Sequence, residues 1–411
     1  MKLEYFIAQR LIKAKSNKSN VSGPIIKIAI TAIVISMIMM IVSVATGIGL
    51  QEKIREKIGA FHGHIIVSNF DNNNSEVSIT PITASADLVD YIAALNGIKH
   101  VQAVATAGGI IRTETAFEGI ILKGVDENFY WNQLQEYLVD GQFPDFSGPL
   151  SNEIAISEFL AKRLNLKVGD AFNTFFIRDE AEKLPFSRRF KIAAIFNSGL
   201  ADYDSNFIIG DLRHVQRFYK WQENQVGNLE IFATDFTTID ALGDTIYAEI
   251  PSTFNSYTIK QKFPNIFEWL ELLDFNIIGI IFFMILISAI NMIVALLVLI
   301  LERTQMIGIL KALGATNWTI RKIFLYNAAY LILLGLAIGN VIGIGIVYIQ
   351  KYTKVITLNP ESYYVKYAPV HIDWLQILAL NVGTIFICLF ILLVPSYLIT
   401  KIAPSKAIRF Q

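Results

Sequence analysis

Four long stretches of this chain carry no charged side chain, and nothing else in the sequence narrows the fold as far. They cover residues 28–51, 275–301, 323–350 and 374–400, which is 24, 27, 28 and 27 residues. A bilayer core takes about 20 apolar residues as a helix, because backbone groups left unpaired in lipid are too costly for an open alternative. All four stretches predict transmembrane helices. Between residues 52 and 274 the longest uncharged run is 13 residues, 58–70, too short to span as a helix. The expected fold class is a polytopic α-helical membrane protein with four transmembrane helices. A large α+β extracytoplasmic domain lies between the first and the second.

Charge gives the orientation. Lys2, Arg10, Lys13, Lys15 and Lys18 stand against Glu4 before the first run. Arg303, Lys311, Arg321 and Lys322 follow the second, and Lys401, Lys406 and Arg409 follow the fourth. The positive-inside rule puts these three segments in the cytoplasm. Lys351, Lys354 and Lys366 in the outer loop are the counter-evidence. The reading divides the chain into a cytoplasmic amphipathic segment (1–24), a first span (25–50), the large domain (51–270) and a second span (271–301). A short cytoplasmic connection (302–320), a third span (321–350), an outer loop (351–371), a fourth span (372–400) and a cytoplasmic tail (401–411) follow. The first run is longer than the about 7–15 apolar residues of a cleaved signal and lacks a small-residue cleavage site, so it reads as an uncleaved anchor. With 35 basic and 35 acidic residues the formal net charge is zero, which by itself points to neither a nucleic-acid nor an acidic partner, and no nucleic acid is expected among the partners. The one cysteine, Cys388, falls in the fourth run, so the large domain is held by packing without a disulfide.

Within the domain, β-like runs are expected at 64–67, 101–106, 109–113, 119–122, 171–177, 190–195, 207–209 and 229–233. Helical patterns are expected at 84–95, 157–164, 211–219 and 239–249. The first helix is expected to continue past residue 51 and to stop at Gly59, and the polar stretch 71–78 reads as a surface loop.

Signatures of catalysis are sparse. There is no phosphate loop of the GxxxxGK[ST] kind, so ATP hydrolysis is not expected on this chain. His62 and His64 are spaced to share one face of a strand but have no nearby acid or cysteine to complete a metal site, and Asp202 and Asp204 lie two apart where glycine and asparagine favour a turn over a catalytic carboxylate pair. In the spans, Asn291 and Asn340 are candidates for bonds between helices, and Gly335, Gly339 and Gly343 form two overlapping GxxxG steps, a close-packing face. No carboxylate stands mid-span, so the usual mark of an ion-coupled carrier is missing.

The most specific string is ERTQMIGILKALGATNWTIRKIF at 302–324, between spans two and three. Met306, Ile309, Leu310 and Leu313 fall at helical spacing, and Gly314 is placed to end that helix. A short amphipathic helix at a membrane face either lies in the interface or docks into a groove on a partner.

This string resembles the coupling segment of FtsX/MacB-type permeases, and the chain as a whole is most similar to the LolC/LolE lipoprotein-releasing group among them. The similar pieces run in order: YFIAQRLIK (5–13), IGAFHGHIIVS (58–68), GQFP (141–144), EIAISEFLAKRLNLKVGD (153–170), FKIAAIFNSGLADYDSNFIIGDLRHVQRF (190–218) and FPNIFEWLELL (263–273). Pro395 and residues 403–409 close the pattern. The resemblance implies a permease without catalytic residues. Glu302, Arg303, Met306, Ile307, Gly308, Ile309, Leu310, Lys311, Leu313 and Gly314 would contact a separate LolD-like ATP-binding subunit that holds ATP and Mg. In this family a glutamate commonly precedes the I-G pair; here Met306 stands there. The resemblance further implies a second permease chain, either a copy of this one or a LolC/LolE-like sister, lipoprotein substrates and a LolA-like periplasmic carrier. Arg178, Asp179, Glu180, Glu182, Lys183, Leu184, Pro185 and Phe186 would form a hook for that carrier, with Arg188 and Arg189 at an adjoining pad. Met40, Val44, Ile48, Phe275, Ile278 and Phe282 are the candidates for an acyl-chain surface. Lifting a lipoprotein exposes its acyl chains at about 0.8 kcal/mol per CH₂, which accounts for the need for ATP. The alternatives within the superfamily are a MacB-like efflux permease and an FtsX-like signalling subunit that regulates a cell-wall hydrolase.

Overall fold

The computed structural model describes residues 4, 6, 7, 10, 22–72, 75–113, 116–176 and 186–401. It divides into two compact units. One contains Met1–Gln51, Trp269–Thr357 and Tyr367–Gln411; the other contains Glu52–Glu268 and Leu358–Lys366.

Among the described residues four helices are long and apolar enough to cross a membrane, Gly23–His62, Pro264–Glu302, Asn317–Thr353 and Trp374–Lys401, and most of their length falls in the first unit. Between the second and third lies a short helix, Thr304–Ala312. The expected glycine face is used for helix packing. A Cβ on Gly335 would sit 2.8 Å from the Ile33 side chain, one on Gly339 2.7 Å from Met37, and one on Gly343 3.1 Å from Ile41. The three glycines therefore let the third span lie directly against the first, where van der Waals contact is the main source of association. Asn340 and Asn381 exchange side-chain hydrogen bonds of 2.7 and 3.0 Å between spans three and four. Asn291, also expected to bond across helices, instead donates to Ile287 O one turn back in its own helix. Gln51 donates to Leu270 O and to Asp274 Oδ1, tying the first span to the second. Arg321 does the same for spans three and four through Ser396 Oγ and Leu393 O.

In the second unit the strands are β1 (Ile65–Asn69), β2 (Ile82–Thr83), β3 (Ile98–Arg112), β4 (Phe117–Val125), β5 (Leu138–Gly141), β6 (Glu153–Ser157), β7 (Ala171–Phe176), β8 (Phe186–Phe196), β9 (Phe207–Asp211), β10 (Gln225–Val226), β11 (Asn228–Ala233) and β12 (Phe254–Thr258). The helices are α1 (Ala86–Ala94), α2 (Glu158–Arg163), α3 (Ala201–Asn206), α4 (Leu212–Tyr219), α5 (Ile239–Glu249) and α6 (Ile259–Lys262). The strand order is β12-β1-β11-β3-β4-β9-β6-β8-β5, and β7 pairs with both β3 and β8. Strands β3, β4, β9, β6, β8 and β7 thus close a ring, a small barrel with no free edge along that path. Its buried residues include Ile111, Leu122, Ile154, Phe176, Phe190 and Ile208. The fifteen residues of β3 divide their pairing within one sheet: 98–104 pair with β11, and 104–112 pair with β4.

Two expectations are corrected here. The runs at 101–106 and 109–113 are one strand, because Gly109 continues the ladder beneath the Phe176 ring, 3.0 Å from where its Cβ would be. The first helix does not stop at Gly59; it runs to His62. Gly63 turns the chain at φ +73 and its N–H closes the last turn on Gly59 O at 2.8 Å. His62 and His64 therefore flank a reversal and do not share a strand face. His64 Nδ1 accepts from Ala233 N at 3.0 Å, and the His62 ring stands edge-on to Tyr203. Asp202 and Asp204 lie in α3, where Asp204 accepts from Ser198 N, Ser198 Oγ and Gly199 N and so shapes the loop before it.

Candidate functional site: the connecting helix and the lock at a helix end

Helix Thr304–Ala312 is amphipathic in its packing. Ile307 and Gly308 are buried, and Met306 and Leu310 pack with Ile307 on the core of the membrane unit. Ile309 and Leu313 face outward, Leu313 at 80% exposure. Gly314 ends the helix at φ +89. Its N–H meets Lys311 O at 3.0 Å and Ala315 N meets Leu310 O at 2.9 Å, the paired bonds of a Schellman motif that satisfy orphan carbonyls. Nothing lies within 4 Å of where a Gly314 Cβ would be. Lys311 Nζ donates to Ile399 O at 2.7 Å. Thr316 then caps the third span by accepting from Thr319 N. Of the ten residues expected to contact an ATP-binding subunit, the structure places Ile309, Leu313 and Gly314 on the outer side of this helix. Glu302 ends the preceding span helix, and Arg303 forms the kink between the two.

The acyl-surface candidates separate. Met40 is wholly buried and Val44 nearly so, both within the membrane unit's core, whereas Phe275, Ile278 and Phe282 are exposed along one helix. Ile48 is half-buried. Arg178, Asp179, Glu180, Glu182, Lys183, Leu184 and Pro185 lie outside the described residues, as do residues 402–411 and most of 1–21. Phe186 opens β8, with the Arg188 guanidinium 4.3 Å above its ring, and Arg189 is exposed opposite Asn173.

One constellation went unread in the sequence. The Lys123 ammonium, on β4, is 4% exposed. It donates to Glu230 Oε1 on β11 and to Phe61 O in the last turn of the first helix, both at 2.6 Å. Gln102 Nε2 donates to the other carboxylate oxygen at 2.8 Å. Burial pushes the Lys123 ammonium down from its ordinary pKa, with the Glu230 carboxylate opposing. A polar cavity of about 30 Å³ adjoins the pair, lined in part by His62, Tyr203 and Tyr257. A helix C-terminus favours a cation, so the ammonium fixes the helix end to the sheet. Farther along the same helix, Lys57 Nζ donates to Tyr364 O at 2.5 Å.

A family described as the MacB-like periplasmic core domain matches residues 28–249, and one described as the FtsX-like permease C-terminal matches residues 278–404. The chain is 20% identical over 416 residues to the lipoprotein-releasing system transmembrane protein LolC of Haemophilus influenzae, covering 100% of this chain and 99% of that one. It is 21% identical over 425 residues to LolE of the same organism, covering 99% of each. The periplasmic region of MacB from Actinobacillus actinomycetemcomitans aligns at a TM-score of 0.34 with 14% identity, over 49% of this chain and 93% of that one. This chain belongs to the family of permeases that join a MacB-like periplasmic core domain to an FtsX-like permease C-terminal region.

Proposed function

We propose that this chain is the permease subunit of an ABC complex that releases lipoproteins from the inner membrane to a periplasmic carrier. The observation that carries the reading is the similarity to LolC and LolE over the full length of both chains, through the membrane unit and the large domain alike. In this reading the outward side of helix Thr304–Ala312 docks on a separate ATP-binding subunit, where ATP and Mg are held. Ile309 and Leu313 supply its apolar anchors, and Gly314 leaves room for the partner's backbone. The first and second helices carry the partner's closure outward, since each is continuous across the boundary between the two units. A second permease chain, identical or divergent, pairs with this one around a lipid-open cavity for the cargo. Phe275, Ile278 and Phe282, rather than Met40 or Val44, are the apolar groups available to acyl chains.

Two experiments test this reading. Depletion of the protein should leave lipoproteins in the inner-membrane fraction; normal arrival at the outer membrane refutes the cargo. Leu313→Asp combined with Ile309→Asp should abolish co-purification of the ATP-binding subunit while leaving the melting temperature unchanged, because both side chains are already exposed. Undiminished co-purification refutes the docking.

A further inference from the structure

The large unit carries a groove of about 910 Å³ that plays no part in the reading above. Its walls are α1, through Ala86, Val89 and Asp90, and α4, through Leu212, Arg213, Gln216 and Arg217. The floor is Val101 and Ala103 of β3 with Val226 and Leu229 beside them, and Trp221 and Phe146 close its sides. The volume lies at the upper end of ordinary ligand pockets, about 300–1,000 Å³.

Its charge is one-sided. Five carboxylates line it, Asp90, Asp126, Glu127, Asp211 and Glu223, against Arg213 and Arg217. Asp211 and Arg213 are spent on each other at 2.5 Å, and Arg213 also donates to Gly148 O and Pro149 O. That leaves four acids facing one arginine. Asp90, Glu127 and Glu223 are exposed, and Asp126 Oδ1 has no hydrogen-bond partner. The apolar part of the lining includes Val89, Val101, Ala103 and Trp221, each only partly covered.

An extended chain sends alternate side chains to opposite sides. A segment alternating aliphatic and basic residues would therefore set the first kind on the floor and hold the second among the carboxylates, the pattern by which grooves read extended peptides. We propose that this groove docks an extended, basic segment of a partner polypeptide, with Trp221 as the apolar anchor and Asp90, Glu127 and Glu223 as the ion-pair partners. The proposal holds whether or not the cargo is a lipoprotein.

The test uses the full chain in phosphatidylcholine nanodiscs and a fluorescent peptide of about eight residues alternating lysine and leucine, long enough at about 3.3 Å per residue to span a groove of this size. Signal from empty nanodiscs is subtracted. Saturable binding is expected, at least about tenfold tighter than for the glutamate–leucine and lysine–serine counterparts, since the site needs both charge and apolar contact. The variant Asp90→Lys/Glu127→Lys/Glu223→Lys should lose about tenfold in affinity with unchanged melting, its three positions being exposed. Trp221→Ala is a second, independent variant and should weaken binding by a similar factor. Equal binding of either counterpart peptide, or unchanged affinity in the triple variant, overturns the proposal.

Discussion

Lys123→Met is the substitution that most directly tests the lock at the end of the first helix. In the native chain the ammonium answers two acceptors at 2.6 Å, Glu230 Oε1 and Phe61 O, and both members of the ion pair are almost fully buried. Methionine keeps most of the stem's volume and removes only the charge. Glu230 is then left buried with the Gln102 amide as its remaining donor, and Phe61 O loses its bond. Removing one member of a buried pair costs about 3–5 kcal/mol, because the other charge stays uncompensated. For a unit of this size each kcal/mol moves the melting temperature by about 2–4 °C, so a fall of about 6–20 °C is expected. The double variant Lys123→Met/Glu230→Gln separates this cause from lost packing. Its neutral amide still offers an oxygen to Gln102, so the stability should return to within about 2 kcal/mol of native, the residue being the unmet Phe61 carbonyl. Burial pushes the Lys123 pKa down against the pull of Glu230, and replacing both members of a buried ion pair by neutral groups of similar volume is often tolerated. The assay is a thermal melt of the full chain in neutral detergent, followed by calorimetry. A single variant that melts within a degree or so of native refutes the reasoning. A double variant that melts no higher than the single one refutes it equally.

Acid sensitivity gives a second prediction. Burial holds the His64 imidazole at about 4, against about 6.5 in an unfolded chain. Between those values the unfolded state takes up a proton that the folded state refuses, so stability falls as pH drops from about 6.5 to about 4, by about 3 kcal/mol in all. In His64→Gln, whose amide oxygen can still accept from Ala233 N, the acid-side decline in melting temperature should be shallower by that amount; an unchanged pH profile counts against it. In the membrane unit, Gly339→Leu places a side chain where Met37 Cβ is 2.7 Å from the position of a Cβ. The third span must then leave the first, at about 1–3 kcal/mol or more for overpacking. A lowered melting temperature with less folded protein recovered in detergent is expected, and native-like melting would show that the two helices do not rely on this contact.

The parts of this molecule that were legible in its sequence are those a local pattern can carry. Four uncharged runs are enough for four helices, because the cost of unpaired backbone in lipid acts on composition alone. Gly314 was legible as a helix stop, and the GxxxG steps as a packing face, because each feature sits within one turn or one helix. The closure of the barrel was not legible. It depends on β7 meeting β3, whose paired residues 173–176 and 109–112 are far apart in sequence and carry no local signal. Strand β6 escaped for a related reason: Ile154, Ala155 and Ile156 are all wholly buried, so the alternation that marks a half-exposed strand is absent. The expected stop at Gly59 gives way to one at Gly63, four residues on, because it is Gly63 whose backbone turns left-handed at φ +73, a difference that composition does not mark.

The lock at the helix end follows the same logic, although a signal for it existed. Lys123 is a lone cation in an apolar strand, and Glu230 is a lone anion in another. Either one, read by itself, is an outward-facing residue. Read together, as the one cation of β4 and the one anion of β11, strands that both flank β3, they predict a buried pair, since each otherwise faces a desolvation cost it cannot meet alone. The pair's position against Phe61 O then has a mechanical consequence. A helix transmits displacement only if its end is held, and terminal turns fray when their carbonyls are unmet. Here the carbonyl in the last turn is held by a charge that cannot leave without exposing Glu230, so the helix end and the sheet move as one body. Under the function proposed above, in which the first helix carries the partner subunit's closure, loosening that end should uncouple ATP turnover from release before it unfolds the domain.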